Sequence, residues 1–164
     1  MLLSIYTYVT NHLNKGGDHY ASLPENSSWV DGSTESNYTF DQACEFAIDQ
    51  GAKLFIVTVI DTKSFATIER FDRQIVKRAE EQGKQTLENY KQQALDKGVE
   101  EVETILDFGS PKVRITRYIA PKYEIDLIMA GATGANKVER IVIGSVSEAI
   151  VRQATCDVLI VRRK

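Results

Sequence analysis

Gly131, Gly134, Gly144 and Ser145 have the types and the spacing to hold a phosphate. They sit in DLIMAGATGANKVERIVIGSVS, residues Asp126 to Ser147. The apolar run Leu127–Ala130 predicts a buried strand, and Gly131 follows at once. Gly134 comes three residues on, then nine residues, then Gly144-Ser145. Ser145 and Glu148 have capping-box spacing, which predicts a helix start. A glycine lets backbone approach a ligand closely or adopt a positive φ. The free N–H groups of a helix start attract anions, aided by the helix dipole. Hydroxyls at Thr133, Ser145 and Ser147 could add donors. As an N-cap, the Ser145 oxygen would accept a backbone N–H while its hydroxyl still donates to phosphate. Two glycines three apart also describe nothing more than a tight turn before a capped helix, so the weight rests on the full G-x2-G-x9-G-S pattern.

Other chemistries find less support. Lys137 and Arg140 lie in the nine-residue excursion, within reach of a polyphosphate, but exposed loop cations are usually only solvated. The sequence has no G-x-x-x-x-G-K-[ST] phosphate loop, no nucleophile elbow and no Cys/His pair in motif context. No catalytic set is apparent, and any nucleotide hydrolysis should be slow. His12 and His19 lack cysteines or carboxylates at ligand spacing, and Asp61 has nothing to fix a metal's geometry, so no metal centre is expected. Cys44 and Cys156 give no disulfide framework and are expected to be small core residues.

The elements that must position the glycines alternate along the chain. Leu2–Val9 is apolar and rich in β-branched and aromatic residues, which predicts a first strand. Residues 10–28 are polar, with Gly16, Gly17 and Pro24, and predict an irregular or disordered insertion whose two ends meet, since the first strand should end where the first helix begins. Trp29 reads as a hydrophobic plug. Asp31-Gly32-Ser33 signals a helix start, with Ser33 or Thr34 as cap. Phe40, Ala43, Cys44, Ala47 and Ile48 then form one apolar face, and Gly51 closes the helix. Lys53–Ile60 is a nearly continuous apolar run, the mark of a strand covered on both faces. Apolar residues from Phe65 to Ala94 at steps of three or four predict a long amphipathic second helix ending at Gly98. Val102–Phe108 is a third strand whose Glu103 and Asp107 suggest a sheet edge. Ser110 should cap a third helix, with Pro111 at its first position, Ile115 and Ile119 in the core, and Pro121 ending it. Leu127–Ala130, a helix from about Val146 to Ala154, and Val158–Val161 complete the chain.

This alternation implies one α/β domain over residues 1–164: an open five-stranded parallel sheet with helices on both faces. Ligands of such sheets bind outside the carboxyl ends of the strands, where strand order reverses. Helix starts beside glycine turns at that edge are therefore well placed for a nucleotide.

The motif resembles the nucleotide-binding signature of the universal stress protein family. VDGSTESNYTFDQACEFAIDQGAKLFIVTVID and GSVSEAIVRQATCDVLIVRR resemble that family's first helix and second strand, and its last helix and strand. The resemblance runs from about Val30 to Arg162. It implies a Rossmann-like fold of the adenine nucleotide alpha hydrolase type, with strand order 3-2-1-4-5. Asp31 and Gly131 would then face each other across the crevice. It implies ATP as ligand, with or without magnesium, and a regulatory role in stress response in place of fast catalysis. By motif position, Asp31 would contact the adenosine part and Val59 the base. Ala130, Gly131 and Gly134 would line the turn, and Gly144, Ser145 and Val146 would offer donors to phosphates. Capping alone would also explain Asp31, and core packing would explain Val59. The resemblance further implies a homodimer paired through Val158–Val161, whose apolar edge would otherwise stand bare. The alternative is a dimer of the same fold that serves as an interaction module and binds no nucleotide.

Composition fits this picture. At 164 residues, folding buries roughly 70% of the unfolded chain's surface, enough for one core without staples. The net charge of −3, with both signs dispersed, excludes the basic stripe of a nucleic-acid binder. No apolar run approaches the length needed to span a bilayer. The start, MLLSIYTYV, lacks a basic n-region and a small-residue cleavage site, so the expected location is a reducing cytoplasm.

Overall fold

The computed structural model describes residues 4–11, 34–61, 73–132 and 143–162. Five strands form one sheet: β1 (Ser4–Asn11), β2 (Lys53–Ile60), β3 (Val102–Phe108), β4 (Leu127–Gly131) and β5 (Asp157–Val161), in the spatial order β3-β2-β1-β4-β5. The helices are α1 (Thr34–Gln50), α2 (Arg73–Asp96), α3 (Pro111–Val113), α4 (Ala120–Lys122) and α5 (Ser145–Gln153), with a π-helical stretch, Arg114–Ile119, between α3 and α4.

β2 explains why the sheet is covered on both sides. Its residues alternate between two cores. Leu54 and Ile56 pack with Phe40, Ala43, Cys44 and Ala47 of α1 and with Leu87 and Ala94 of α2. Phe55, Val57 and Val59 pack with Ile115, Ile119 and Ala120 and with Ile150 of α5. A strand between two helix layers has no wet face, hence its unbroken apolar run. Val59 and Ala130, from β2 and β4, lie in the same core, with Val146 of α5 packed against it.

β2 and β3 pair in parallel, as do β4 and β5. β1 does not conform to the expected all-parallel sheet: it runs antiparallel to both β2 and β4. Ser4 faces Val59 near the carboxyl end of β2, and Asn11 faces Lys53 at its start. The first strand therefore ends at the amino edge of the sheet. α1 leads through a short turn into the start of β2, so its own N-terminus lies at the opposite edge, about 26 Å away at 1.5 Å per helical residue. The expectation that the first strand ends where the first helix begins is thus overturned. The strand itself spans Ser4–Asn11, two residues further than expected at its C-terminal side. Residues 12–28 and Trp29 lie outside the described residues.

Several local signals operate as expected. Gly51 and Gly98 take positive φ after α1 and α2. Pro111 opens α3, with Ser110 in the cap position. No side-chain bond caps α3; the Ser110 carbonyl instead accepts the N–H groups of Val113 and Arg114. Pro121 does not end the helical run, which continues to Lys122. The π-helical stretch immediately precedes it, where one intrahelical bond is lost in any case because proline lacks an N–H. Ile48 is also corrected: it is 44% exposed and outside the core. Glu103 and Asp107 on the outer strand β3 are both paired, to Lys53 at 2.8 Å and to Arg114 at 2.7 Å.

Candidate functional site

At the carboxyl edge of the sheet the β1–β4 ladder falls short of the β1–β2 ladder. β1 pairs with β2 up to Val59, but its pairing with β4 stops at Met129. Ala130 and Gly131 therefore pair only with β5, opposite Ile160 and Val161. Ligands of open α/β sheets bind beyond the carboxyl ends of the strands.

Three hydrogen bonds join the end of β4 to the start of α5. Ala132 donates its N–H to the Val161 carbonyl at 2.8 Å. Gly144 donates its N–H to the Ala132 carbonyl at 2.7 Å, which closes the excursion on itself. The Ser147 hydroxyl donates to the Gly131 carbonyl at 2.7 Å. Ala132 and Gly144, the residues at the two ends of the excursion, are thus one hydrogen bond apart.

These bonds revise the assigned roles. Gly144, not Ser145, is the N-cap of α5, with φ −58° and ψ 145°, and no side chain among the described residues caps the helix. Ser145 is the first helical residue. The Gly144 N–H, expected to face phosphate, bonds the Ala132 carbonyl in this structure. The Glu148 N–H bonds the Gly144 carbonyl, and its carboxylate pairs with Arg152 at 3.5 Å, so no capping box forms. The N–H groups of Ser145, Val146 and Ser147 make no backbone–backbone bond among the described residues. Those three, at the positive end of a nine-residue helix, are the donors the arrangement presents. Gly131 ends β4 without a positive φ, so the strand end does not require glycine for backbone freedom.

The structure brings Val59, Ala130, Gly131, Gly144, Ser145 and Val146 to one edge of the sheet. Asp31 and Gly134 lie outside the described residues, as do Thr133, Lys137 and Arg140, so the expected approach of Asp31 to Gly131 falls there too. Among the described residues no group of three or more His, Cys, Asp or Glu side chains is placed to hold a metal. Cys44 is buried, and that burial pushes its thiol up to about 12. Cys156 is half-buried beside the other core, and burial also raises its pKa. Neither thiol is activated as a nucleophile. Sequence reasoning missed one residue: Ser147 was assigned to phosphate, yet its hydroxyl is directed back to β4. No signal in the sequence could have revealed this, because its partner lies sixteen positions away.

A profile of the universal stress protein family matches residues 29–162. The chain belongs to the universal stress protein family. A putative universal stress protein of Staphylococcus aureus (strain USA300) is 46% identical over 133 residues, which is 81% of this chain and 80% of the relative. Among solved structures, the universal stress protein UspA of Lactobacillus plantarum superposes with a TM-score of 0.70 at 26% identity, over 81% of this chain and 93% of that one. A universal stress protein solved in complex with cAMP superposes with a TM-score of 0.56 at 26% identity, over 81% and 91% of the two chains. The match begins at Trp29, ahead of the VDGS stretch, so β1 and the residues that follow it lie outside what the family profile covers. No helix among the described residues is long and apolar enough to cross a membrane.

Proposed function

We propose that this universal stress protein binds an adenine nucleotide, ATP with or without magnesium, at the carboxyl edge of its sheet. It then acts as a regulatory module in stress response. The observation that carries this reading is the junction of Gly131 with the N-terminus of α5, which no side chain among the described residues caps. A helix start with three N–H groups in need of acceptors suits a phosphate chain. Val59 and Ala130 lie at the same edge, their side chains buried in the core beneath it, so a base would meet them through backbone. The cAMP complex of a related protein supports a nucleotide as the class of ligand.

In this reading Ser145 and Val146 donate to phosphates, joined by the backbone of Ser147. Gly131 and Gly134 allow the phosphates to approach, and Asp31 contacts the adenosine part. No side chain is assigned to activate water, so the protein is not an enzyme in the ordinary sense. It is cytoplasmic and works as a homodimer joined through β5. A second reading, a nucleotide-free interaction dimer, is favoured by one observation: Val158, Leu159 and Ile160 are only half-buried on an outer strand.

Calorimetric titration with ATP, with and without magnesium, separates the two. A flat titration of folded protein, with no nucleotide retained on purification by mass spectrometry, overturns the first reading. Phosphate release at saturating ATP should fall far below the roughly 10 s⁻¹ typical of enzymes.

A further inference from the structure

We propose that the Ser147 side chain positions the nucleotide site: its hydroxyl holds the N-terminus of α5 open for phosphate without itself touching the phosphate. This inference rests on the nucleotide reading above. Its basis is the bond from the Ser147 hydroxyl to the Gly131 carbonyl, 2.7 Å long, from a side chain only 6% exposed.

Gly131 and Ala132 present two successive carbonyls at the point where the chain leaves β4. Both are acceptors, and both have partners at the start of α5: the Ser147 hydroxyl for Gly131 and the Gly144 N–H for Ala132. A carbonyl carries partial negative charge, so an unpaired one beside a helix N-terminus competes for the same N–H groups that a phosphate needs. The Ser147 hydroxyl removes that competitor. It donates to Gly131 while its own backbone N–H, with those of Ser145 and Val146, keeps no backbone partner among the described residues. The Gly131–Ala132 peptide is thereby fixed at both ends, its carbonyl by Ser147 and its N–H by Val161. The hydroxyl cannot serve the phosphate as donor at the same time, since it has one proton to give.

Ser147→Ala removes the donor and keeps the volume close. The Gly131 carbonyl then needs a new partner, and the nearest class of donor is the helix amides themselves. The helix caps on its own strand, and phosphate must displace that cap. The loss should therefore appear in the phosphate part of the ligand and not in the nucleoside part. Ser147→Thr keeps the hydroxyl and should restore binding.

The test measures the affinity of the full-length wild type, Ser147→Ala and Ser147→Thr for ATP and for adenosine by calorimetry, with thermal unfolding followed by circular dichroism. The expected result for Ser147→Ala is a roughly tenfold loss for ATP, the size of one neutral hydrogen bond of about 1.4 kcal/mol. Adenosine affinity should change less than about twofold, and Ser147→Thr should return ATP affinity to near wild type. Equal losses for ATP and adenosine would make Ser147 a merely structural residue and overturn the proposal, as would an unchanged ATP affinity in Ser147→Ala. A wild type that binds neither ligand overturns the nucleotide reading itself, an outcome distinct from the other two. Amide NMR gives a second reading that does not use ligand: in free Ser147→Ala the amide signals of residues 145–147 should move toward hydrogen-bonded shifts and exchange more slowly. Unchanged signals would refute the competing-carbonyl argument.

Discussion

The uncapped start of α5 makes Gly144→Asp a decisive perturbation. Gly144 has φ −58° and ψ 145°, a conformation open to any residue, and its N–H would survive the change to keep its bond to Ala132. An aspartate there would accept from the N–H of Val146 or Ser147. Relative to glycine, a good cap adds a few tenths of a kcal/mol. The carboxylate charge at the helix start adds about 0.3–1 kcal/mol. The protein should gain about 0.5–1.5 kcal/mol and its midpoint should rise by about 1–5 °C. Nucleotide binding should move the other way. The carboxylate takes the N–H groups that phosphate needs and, at an assumed separation of about 5 Å, repels the phosphate charge. At an effective dielectric of 20 that repulsion is about 3 kcal/mol, a loss of more than about 100-fold. Gly144→Asn supplies the cap without the charge, so it should stabilise similarly and bind more tightly than Gly144→Asp. Thermal unfolding and ATP calorimetry on the same preparations read both effects. If Gly144→Asp stabilises the fold yet binds ATP like wild type, the phosphates do not bind at α5. If it destabilises, the amides of the first turn already have acceptors and the open-helix reading fails.

Gly131→Val should fold, because Gly131 is the last residue of an extended strand with no positive φ. It should weaken ATP by about 5- to 150-fold through an overlap costing about 1–3 kcal/mol; calorimetry showing wild-type affinity would move the site away from β4. Cys44, whose thiol burial raises from 9.0 to about 12, makes the fold sensitive to alkali. The folded state keeps the proton that the unfolded chain loses, so this contribution is whole below pH 9.0 and is lost toward about 12, at up to about 1.4 kcal/mol per pH unit. Urea unfolding between those limits should show a shallower decline for Cys44→Ala, and identical slopes would refute the assignment. The dimer can be tested at Ile160. Val161 accepts from Ala132 on the β4 side and Asp157 donates to Asp126 on that side, so alternation directs the backbone of Val158 and Ile160 to the free edge. Ile160→Pro should therefore remove an outward donor, leave the β4 ladder intact and convert a dimer to a monomer in light scattering. A wild type that is monomeric at every concentration rejects the β5 interface.

The placement of β1 bears on all of these. A strand antiparallel to both neighbours fills the centre of an otherwise parallel sheet. Its pairing with β4 covers only Tyr8 to Thr10, which leaves the β4 end beside Gly131 without a partner on that side.

Much of the fold was legible because its signals are local. The nearly continuous apolar run of Lys53–Ile60 predicts a strand covered on both faces, and both faces are covered. The helical spacing of Ala79, Leu87 and Ala94 predicts the buried stripe of α2, and Gly51 and Gly98 mark where helices end because few other residues accept their φ. The glycine spacing around Gly131 and Gly144 is likewise a local signal, although neither glycine takes a positive φ. Strand direction was not legible in Leu2–Val9, since side chains alternate with the same period whichever way a strand runs. The division of labour at α5 was also closed to sequence. Gly144, Ser145 and Ser147 all suit a helix start, and which one caps, donates or latches depends on where the Ala132 and Gly131 carbonyls arrive. Those carbonyls belong to residues twelve to sixteen positions earlier, brought there by the sheet. The residue types set what chemistry was available, and the tertiary structure decided which atoms were left free to perform it.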